Sequence, residues 1–292
     1  GSRLLLMNYR HGFHAGNFAD VQKHVVMLAI LDYLAQKDSA FCVLDTHAGR
    51  GSYDLTTGQA ERTREFAEGI ARLWQRDDAP PLTRRYLERV RAFNHERTGS
   101  DALAAYPGSP RLARMAMRAQ DRLVCCELHP EENALLKAEF RGDRQVAVHA
   151  RDGWEALGAL LPPKEKRGLV LIDPPYEAQE AELKQAGEAL KDAQRKFPNG
   201  ILALWYPIKE REVIARFHQQ VARLNLGDVL AAEICVWPDD ARLHLNGTGM
   251  LVVNPPWQLD AQLRAELPWL WQQLSREGLG RHDLKWISRR PA

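Results

Sequence analysis

Short apolar runs recur along the chain, and a helical pattern follows most of them. Five runs that are apolar on both faces lie at 41–44, 123–126, 146–148, 169–172 and 201–204. Runs of this length predict strands that are covered by helices on each side. Helical patterns precede, separate and follow these runs, at about 20–36, 110–119, 131–141, 154–160, 180–196 and 208–224. This alternation predicts an α/β fold with a doubly wound, largely parallel sheet.

The pattern changes after residue 224. Segments 229–237 and 250–253 read as strands, and turn residues rather than a helix stand next to them at 238–240 and 246–249. Two strands joined in this way are expected to pair antiparallel. The sequence therefore predicts a parallel sheet that ends in an antiparallel hairpin.

Segment 53–105 does not follow this alternation. It holds no strand-like run, and apolar residues such as Phe66, Ile70, Leu73 and Trp74 fall at helical spacing. We interpret it as a small inserted helical subdomain, broken near 77–81, in a main domain formed by 1–52 and 106–292. Its many arginines leave two interpretations open, a solvated cap with internal ion pairs or a lid that contacts a nucleic acid.

Composition narrows the class of protein without deciding its function. The 292 residues are 45% hydrophobic and 27% charged, as in globular proteins, and no apolar run reaches the roughly 20 residues that span a bilayer. A net charge of +2 neither indicates nor excludes a nucleic-acid partner. The four cysteines lack C-x-x-C spacing, and three lie in apolar runs, which favours buried thiols in a cytoplasmic protein.

The most informative string is Asp-Pro-Pro-Tyr at 173–176, directly after a predicted strand, where open α/β sheets place their ligands. The prolines would hold a carbonyl beside the Asp173 carboxylate, which gives two acceptors for the two hydrogens of an exocyclic amine. The Tyr176 ring offers a face for stacking a base, worth about 1–3 kcal/mol. Asp173, Pro174 and Tyr176 are thus candidate catalytic residues for methylating a flipped amino-base. The alternative is a turn without chemistry.

A second string of similar type, Asn-Pro-Pro-Trp at 254–257, follows the terminal hairpin. Asparagine brings its own donors and no negative charge, and the string lies far along the chain from the glycine-rich turn. We therefore expect a structural turn at Asn254.

Segment 45–51 is a strand-to-turn string with two glycines, which let the backbone approach a ligand. It lacks G-x-G-x-x-G, which disfavours NAD. Glu127 ends the next predicted strand, 78 residues after Gly49. An acid that binds ribose hydroxyls normally follows after about 20 residues, and the excess matches the proposed insertion. Asp152 and Gly153 would then lie near an adenine ring.

Upstream, Lys23 and His24 stand on an opening helix. A contact with an anion or carboxylate is one interpretation, and a solvated helix start is the other. A metal site at His11 and His14 is disfavoured, because no Cys or carboxylate cluster completes it, so no metal is expected.

In these motifs the chain resembles the bacterial 23S ribosomal RNA adenine-N6 methyltransferase J family over nearly its whole length. The strings that carry the resemblance are Tyr9-Arg10-His11, Phe13-His14-Ala15-Gly16-Asn17, Leu44-Asp45-Thr46-His47-Ala48-Gly49, Tyr106-Pro107-Gly108-Ser109-Pro110, Glu127-Leu128-His129-Pro130, Asp173-Pro174-Pro175-Tyr176, Leu204-Trp205-Tyr206-Pro207 and Asn254-Pro255-Pro256-Trp257. Arg50, between the two glycines of the first turn, departs from the family pattern and puts the local loop shape in question.

The resemblance implies a Rossmann-like fold and an S-adenosylmethionine-dependent enzyme that methylates N6 of adenine 2030 in 23S ribosomal RNA. It implies that Asp173 is the catalytic carboxylate and that Tyr9 touches the substrate. The implied cofactor contacts are Lys23, His24, His47, Ser109, Glu127, Asp152 and Gly153. A DNA amino-methyltransferase and an inactive RNA-binding assembly factor remain alternatives, and we expect a monomer.

Overall fold

The computed structural model describes residues 14–58, 64–177, 179–238 and 245–292. Its ten described strands are β1 (Phe41–Asp45), β2 (Ser52–Asp54), β3 (Ala105–Pro107), β4 (Arg122–Cys126), β5 (Val146–His149), β6 (Arg167–Ile172), β7 (Ile201–Ile208), β8 (Val229–Cys235), β9 (Gly247–Val253) and β10 (Arg281–Ser288). Its eight described α-helices are α1 (Phe18–Leu34), α2 (Pro81–Thr98), α3 (Ser109–Met115), α4 (Pro130–Glu139), α5 (Gly153–Ala159), α6 (Gln179–Lys196), α7 (Arg211–Ala222) and α8 (Leu259–Leu274).

Eight of these strands form one sheet in the order β10-β8-β9-β7-β6-β1-β4-β5. Strands β5, β4, β1, β6 and β7 run parallel to one another. Strand β9 pairs antiparallel with β7 on one side and with β8 on the other. The predicted Rossmann-like architecture, a parallel sheet ending in an antiparallel pair, is confirmed.

Three parts of this fold were not predicted from the sequence. Strand β10 extends the sheet by pairing antiparallel with β8, and α8 was also not predicted. The prediction of no strand in 53–105 was wrong at both ends of that segment, because β2 pairs antiparallel with β3. Strands of three residues are too short to give a periodic signal. Their pairing brings the two ends of the segment together.

Two apolar layers cover the two faces of the sheet. In β1, Phe41 and Val43 belong to the layer on one face, and Cys42 and Leu44 to the layer on the other. Successive residues of a strand point to opposite faces, so a strand buried on both sides must be apolar throughout. Helix α1 packs into the first layer, and α6 and α7 pack into the second. All four cysteines are buried, as expected.

The described part of segment 53–105 packs onto the first layer. Ile70, Leu73, Tyr86 and Val90 are buried in the same apolar cluster as the residues of α1 and β1. The division of the chain into a main domain and an inserted subdomain stays a prediction. No helix in the described ranges has the length and apolar character required to cross a membrane.

The arginines of this segment contact the protein itself. Arg89 donates to the Met115 carbonyl and to Asp32, and Arg97 pairs with Glu139. The eight described arginines that have a carboxylate, carbonyl or ring of the protein as a partner are Arg64, Arg72, Arg76, Arg84, Arg85, Arg89, Arg91 and Arg97. These contacts support the interpretation as a cap with internal ion pairs.

Helix α1 brings polar side chains to the carboxyl edge of the sheet. Its start is fixed by two reciprocal hydrogen bonds: Asn17 Oδ1 accepts from the Asp20 N–H at 2.9 Å, and Asp20 Oδ2 accepts from the Gly16 N–H at 3.0 Å. Gly16 has φ of +75°, a backbone conformation that favours glycine. The first turns are buried although they carry Lys23 and His24, and buried polar groups of this kind need specific partners.

Candidate active site

Two cavities adjoin at the carboxyl edge of the parallel strands. The larger, of about 400 Å³, extends over the ends of β1, β4, β5 and β6. The smaller, of about 180 Å³, lies beside the ends of β6 and β7. Three residues, Lys23, Asp173 and Pro175, line both cavities and form their shared wall. We call them the large and the small cavity.

The sequence-predicted residues meet at these cavities. Asp173 and Pro174 line the large cavity, and Tyr176 lines the small one. All seven residues with an expected cofactor contact line the large cavity: Lys23, His24, His47, Ser109, Glu127, Asp152 and Gly153. Tyr9 and His11 lie outside the described residues. The assignment of each side chain to a ligand stays a prediction.

The turn after β1 forms the floor of the large cavity. Gly49 has φ of +70°, and a Cβ at this position would lie 2.5 Å from the Tyr53 hydroxyl, so the turn requires glycine. The Gly49 N–H donates to Glu127 Oε1 at 2.9 Å, and the His129 N–H donates to Glu127 Oε2 at 2.8 Å. These bonds fix the Glu127 carboxylate at the cavity wall, where burial raises its pKa.

Arg50 lies in this turn but does not line the large cavity. Its guanidinium makes a two-fold contact with Glu132, with distances of 2.9 Å to Oε2 and 2.6 Å to Oε1. Glu132 lies in the first turn of α4, where a carboxylate also interacts favourably with the helix dipole. The side chain that departs from the family pattern is therefore directed to a carboxylate on a neighbouring helix.

Helix α5 approaches the turn after β1 closely. Asp152 caps the helix by accepting from the Trp154 N–H at 3.0 Å. A Cβ at Gly153 would lie 2.3 Å from the Thr46 carbonyl oxygen and 2.6 Å from His47 Cε1. The glycine is therefore required by the approach of the helix to this turn. The Trp154 ring meets the His47 ring edge-on at 5.7 Å.

His47 and Asp45 carry opposite pKa shifts for the same physical reason. Burial lowers the pKa of His47 to about 4, so its imidazole is neutral at neutral pH. Burial raises the pKa of the Asp45 carboxyl to about 7, although the Ser109 hydroxyl donates to Asp45 Oδ2 at 2.6 Å. In both cases desolvation disfavours the charged form. At neutral pH the His47 imidazole is therefore uncharged, whereas the Asp45 carboxyl is close to the midpoint of its titration.

His24 belongs to a buried chain of hydrogen bonds. Its Nδ1 lies 2.6 Å from the Tyr106 hydroxyl, which in turn lies 2.7 Å from the Tyr86 hydroxyl. The His24 and Tyr106 rings are stacked with centroids 5.6 Å apart. This chain connects the large cavity to α2 and fixes the orientation of the imidazole.

An ion pair occupies the shared wall between the cavities. Lys23 Nζ lies 2.5 Å from Asp173 Oδ2 and 3.0 Å from Asp20 Oδ1. The Lys23 side chain is only 5% exposed, and those of Asp20 and Asp173 are 1% and 15% exposed. One buried ammonium therefore stands between two carboxylates. This contact joins residues 150 positions apart in the chain.

Tyr176 and Trp205 form a corner of the small cavity. The Tyr176 hydroxyl donates to the Trp205 carbonyl at 2.7 Å. Their ring centroids lie 5.7 Å apart at 61°, in an edge-to-face arrangement. Burial raises the pKa of Tyr176 well above its ordinary value, so the phenol stays protonated. The hydroxyl thus holds the Tyr176 ring at a fixed angle.

The second Pro-Pro string lies at the opposite edge of the sheet. Strand β9 runs antiparallel to β7, so Asn254, which follows β9, is near the start of β7, where its Nδ2 donates to the Gly200 carbonyl at 3.3 Å. Asn254 has φ of +57°, and Trp257 is 77% exposed. The prediction of a structural turn at Asn254 is confirmed.

Several cavity residues were missed by the sequence analysis. Leu128 and Trp154 give the large cavity apolar surface, and Trp205 gives the same to the small cavity. Leu128 follows Glu127 directly and is 61% exposed, which is unusual for a large apolar side chain. Trp205 ends an apolar run on β7, and its position at the carboxyl end of a strand was the available signal.

Comparison with known proteins assigns the family. A family model described as "Ribosomal RNA large subunit methyltransferase D, RlmJ" matches residues 38–288. The chain belongs to this family. It is 43% identical to ribosomal RNA large subunit methyltransferase J of Escherichia coli, over 97% of this chain and 99% of that protein. The protein of the same name from Haemophilus influenzae is 39% identical over the same shares.

Among solved structures, a crystal structure of a Legionella pneumophila protein aligns with a TM-score of 0.82 and 34% identity. It covers 94% of this chain and 98% of the Legionella chain. The chain therefore shares its fold with this solved structure. The family model and the two named relatives show that the chain is a methyltransferase.

Proposed function

We propose that the enzyme transfers a methyl group from S-adenosylmethionine to the exocyclic N6 of an adenine in 23S ribosomal RNA, which the family resemblance specifies as adenine 2030. The observation that carries this proposal is the position of Asp173 on the wall shared by two cavities. A residue placed there can contact a base in the small cavity and face a methyl donor in the large one. The names of both curated relatives support a ribosomal RNA substrate.

The large cavity suits a nucleoside-containing cofactor. The Glu127 oxygens each receive one backbone N–H, which leaves lone pairs to accept from two ribose hydroxyls. Leu128 and Trp154 offer apolar surface near Asp152 for an adenine ring. Within the described residues, the buried Asp45 Oδ1 has no hydrogen-bond partner, which supports a water or a polar ligand group beside it. S-adenosylmethionine supplies a methyl group on a positively charged sulfur.

The small cavity suits a base that has left its stack. Tyr176 and Trp205 supply aromatic surface, and Asp173 stands at its inner wall. The Asp173 carboxylate and the Pro174 carbonyl accept the two N6 hydrogens, which frees the nitrogen lone pair for attack. The N6 proton leaves to Asp173 or to water after the new bond has formed. Alignment of the two ligands supplies most of the catalysis.

Lys23 contacts one oxygen of Asp173, Oδ2, which the incoming amine can share or take over. Its ammonium already lies 3.0 Å from Asp20, so it keeps an anionic partner when the amine takes over Asp173. A lysine between two carboxylates can move away from one of them and still have its charge neutralised by the other. Lys23 thus holds Asp173 in place before the base enters.

The proposal also covers the cellular location, the oligomeric state and the metal content of the enzyme. We infer that it acts in the bacterial cytoplasm, as a monomer and without a metal. The described large apolar side chains that are exposed, Leu128, Leu135, Trp257 and Leu279, are distributed over separate segments, which supports a monomer.

Methyl transfer to defined nucleic acids tests the proposal. Purified protein is incubated with methyl-labelled S-adenosylmethionine and unmodified 23S ribosomal RNA or DNA, and the products are digested to nucleosides. Labelled N6-methyladenosine from RNA is the expected result. Label in DNA alone would assign a DNA amino-methyltransferase, and no label in either would indicate a binding factor.

A further inference from the structure

A buried chain of hydrogen bonds runs from the small cavity into the sheet. Trp205 Nε1 donates to Thr248 Oγ1 at 2.9 Å, and Thr248 Oγ1 donates to Gln22 Oε1 at 2.9 Å. Gln22 Nε2 then donates to the Ala232 carbonyl at 2.9 Å. Thr248 and Gln22 are both completely buried. The chain links β7, β9, α1 and β8 to a single indole.

The direction of this chain is fixed by its first member. An indole N–H can only donate, so Thr248 Oγ1 must accept from Trp205. The hydroxyl hydrogen of Thr248 is then available to Gln22 Oε1, and the Gln22 amide nitrogen faces the Ala232 carbonyl. The three hydrogen bonds can all form in one arrangement only, and that arrangement holds the ring of Trp205 in one orientation.

The core itself does not need these polar groups. A valine at Thr248 and an apolar residue at Gln22 would fill the same layer without a buried polar atom that requires a partner. Trp205 is the residue of β7 that is not fully buried, and its ring lines the small cavity. The hydrogen-bond chain therefore fixes a side chain that lies in the wall of the small cavity.

Trp205 also connects the functional groups around the small cavity. Its carbonyl accepts from the Tyr176 hydroxyl, and its ring lies 5.8 Å from Lys23 Nζ, within the range of cation–π attraction. The backbone carbonyl does not move with the side chain, but rotation of the indole would disturb its edge-to-face contact with the Tyr176 ring and its approach to the ammonium that contacts Asp173.

We propose that Trp205 is the second aromatic contact of the target adenine and that Thr248 and Gln22 are positioning residues that orient it. This inference rests on the proposed function, since it requires a base in the small cavity. Tyr176 and Trp205 meet at 61°, so one ring can stack on the base while the other closes its edge. A fixed corner admits a planar ring in one orientation, with its amine towards Asp173.

Kinetics of Thr248 variants test this inference. Thr248→Val removes the hydroxyl at nearly constant shape, and Thr248→Ser keeps it. We expect Thr248→Val to lower kcat/KM for RNA about 3- to 10-fold, the size of one lost neutral hydrogen bond. Thr248→Ser and the matched control Thr83→Val, a buried threonine beside Glu266, are expected to keep the wild-type value. The Kd for the cofactor and the Tm are measured for each variant.

Substitutions of Trp205 complete the test. Trp205→Ala is expected to lower kcat/KM for RNA about 5- to 150-fold, as for a lost base–aromatic stack, while Trp257→Phe at the opposite edge changes nothing. Trp205→Phe keeps a ring but removes the N–H. Because Thr248 then has no indole to hold, the double variant with Thr248→Val is expected to match Trp205→Phe alone.

Different failures have different meanings. Full activity of Thr248→Val, equal loss in Thr248→Ser, multiplying losses in the double variant, or a parallel loss of cofactor affinity would each overturn the positioning inference. In those cases an active wild-type enzyme would leave the proposed function intact. A wild-type protein that does not label RNA would overturn both.

Discussion

Lys23 Nζ lies 2.5 Å from Asp173 Oδ2, on the wall between two cavities. Helix α1 supplies the ammonium and the end of β6 supplies the carboxylate. The same ammonium lies 3.0 Å from Asp20. Under the proposed mechanism, this second partner keeps the charge of Lys23 neutralised when the amine of a substrate binds Asp173.

Removal of the Asp173 charge should slow turnover strongly and leave cofactor binding intact. Asp173→Asn keeps the shape but replaces one acceptor by a donor that opposes the N6 hydrogens. We expect kcat to fall by about 100-fold or more, the range for loss of one preorganised electrostatic contact. Single-turnover rates and calorimetric titration of the cofactor measure the two effects. Asp192→Asn on α6, which is 70% exposed, is the control, and an Asp173→Asn enzyme with the wild-type rate would remove Asp173 from the mechanism.

Lys23→Met should destabilise the fold through charge rather than volume. The change leaves Asp20 and Asp173 near each other without a cation, and removal of one partner of a buried ion pair costs about 3–5 kcal/mol. Urea unfolding measures this cost, with Lys184→Met on the exposed face of α6 as control. Adding Asp173→Asn to Lys23→Met should restore part of the stability. A double variant that is less stable than Lys23→Met would contradict the ion-pair account.

The raised pKa of Asp45 predicts that the free energy of unfolding falls as pH rises. Burial raises the pKa of this carboxyl from 3.8 to about 7, so the folded state binds the proton more tightly than the unfolded state. Its contribution is complete below about pH 3.8 and is lost as pH rises through 7. The slope from one such group is at most about 1.4 kcal/mol per pH unit.

Asp45→Asn removes this titration and keeps an oxygen that can accept from the Ser109 hydroxyl. The free energy of unfolding of the variant should therefore fall less between pH 4 and pH 7.5 than that of the wild type. Comparison of the two proteins cancels the other titrating groups, including His47. Parallel curves would mean that Asp45 does not hold its proton in the folded state.

The arginines of segment 53–105 should affect stability more than RNA binding. Arg89 donates to the Met115 carbonyl at 2.9 Å and to Asp32 at 3.2 Å. Arg89→Ala is expected to cost about 1–2 kcal/mol of stability. The slope of log K for RNA against log salt, which reports the number of phosphate contacts, should not change.

Lys209→Ala offers a comparison, because Lys209 lines the small cavity, where RNA would enter. It should reduce the salt slope by about 0.7–0.9 if the ammonium meets a phosphate. A smaller slope for Arg89→Ala would instead assign the arginine-rich segment to the RNA-binding surface.

Local patterns in the sequence predict the parallel strands and the acidic residues at their carboxyl ends. Asp45 ends one strand, and Glu127 and Asp173 directly follow two others. These three strands are apolar on both faces, and this pattern alone is enough to predict where the strands lie. Because the carboxyl ends of parallel strands meet at one edge, the acids that follow them are expected to lie together. The string at 173–176 adds chemistry that can be interpreted from residue types.

Other parts depend on contacts between distant segments. Nothing near Lys23 in the chain indicates Asp173 as its partner. Strand β10 is a half-exposed edge strand with mixed polarity. Helix α8 contains Pro268 and is preceded by Gln258, which has a left-handed backbone conformation. Such elements lack the usual signals, since packing against the sheet rather than local propensity stabilises them.

A structure of the protein with S-adenosylhomocysteine and an adenosine nucleotide would test the central claim most directly. We predict that the adenine enters the small cavity and that its N6 lies about 3 Å from both Asp173 and the Pro174 carbonyl, as hydrogen bonds require. The sulfur should lie in the large cavity, on the side of N6 to which the nitrogen lone pair points. An adenine bound outside the small cavity, or an N6 that contacts neither acceptor, would contradict the account.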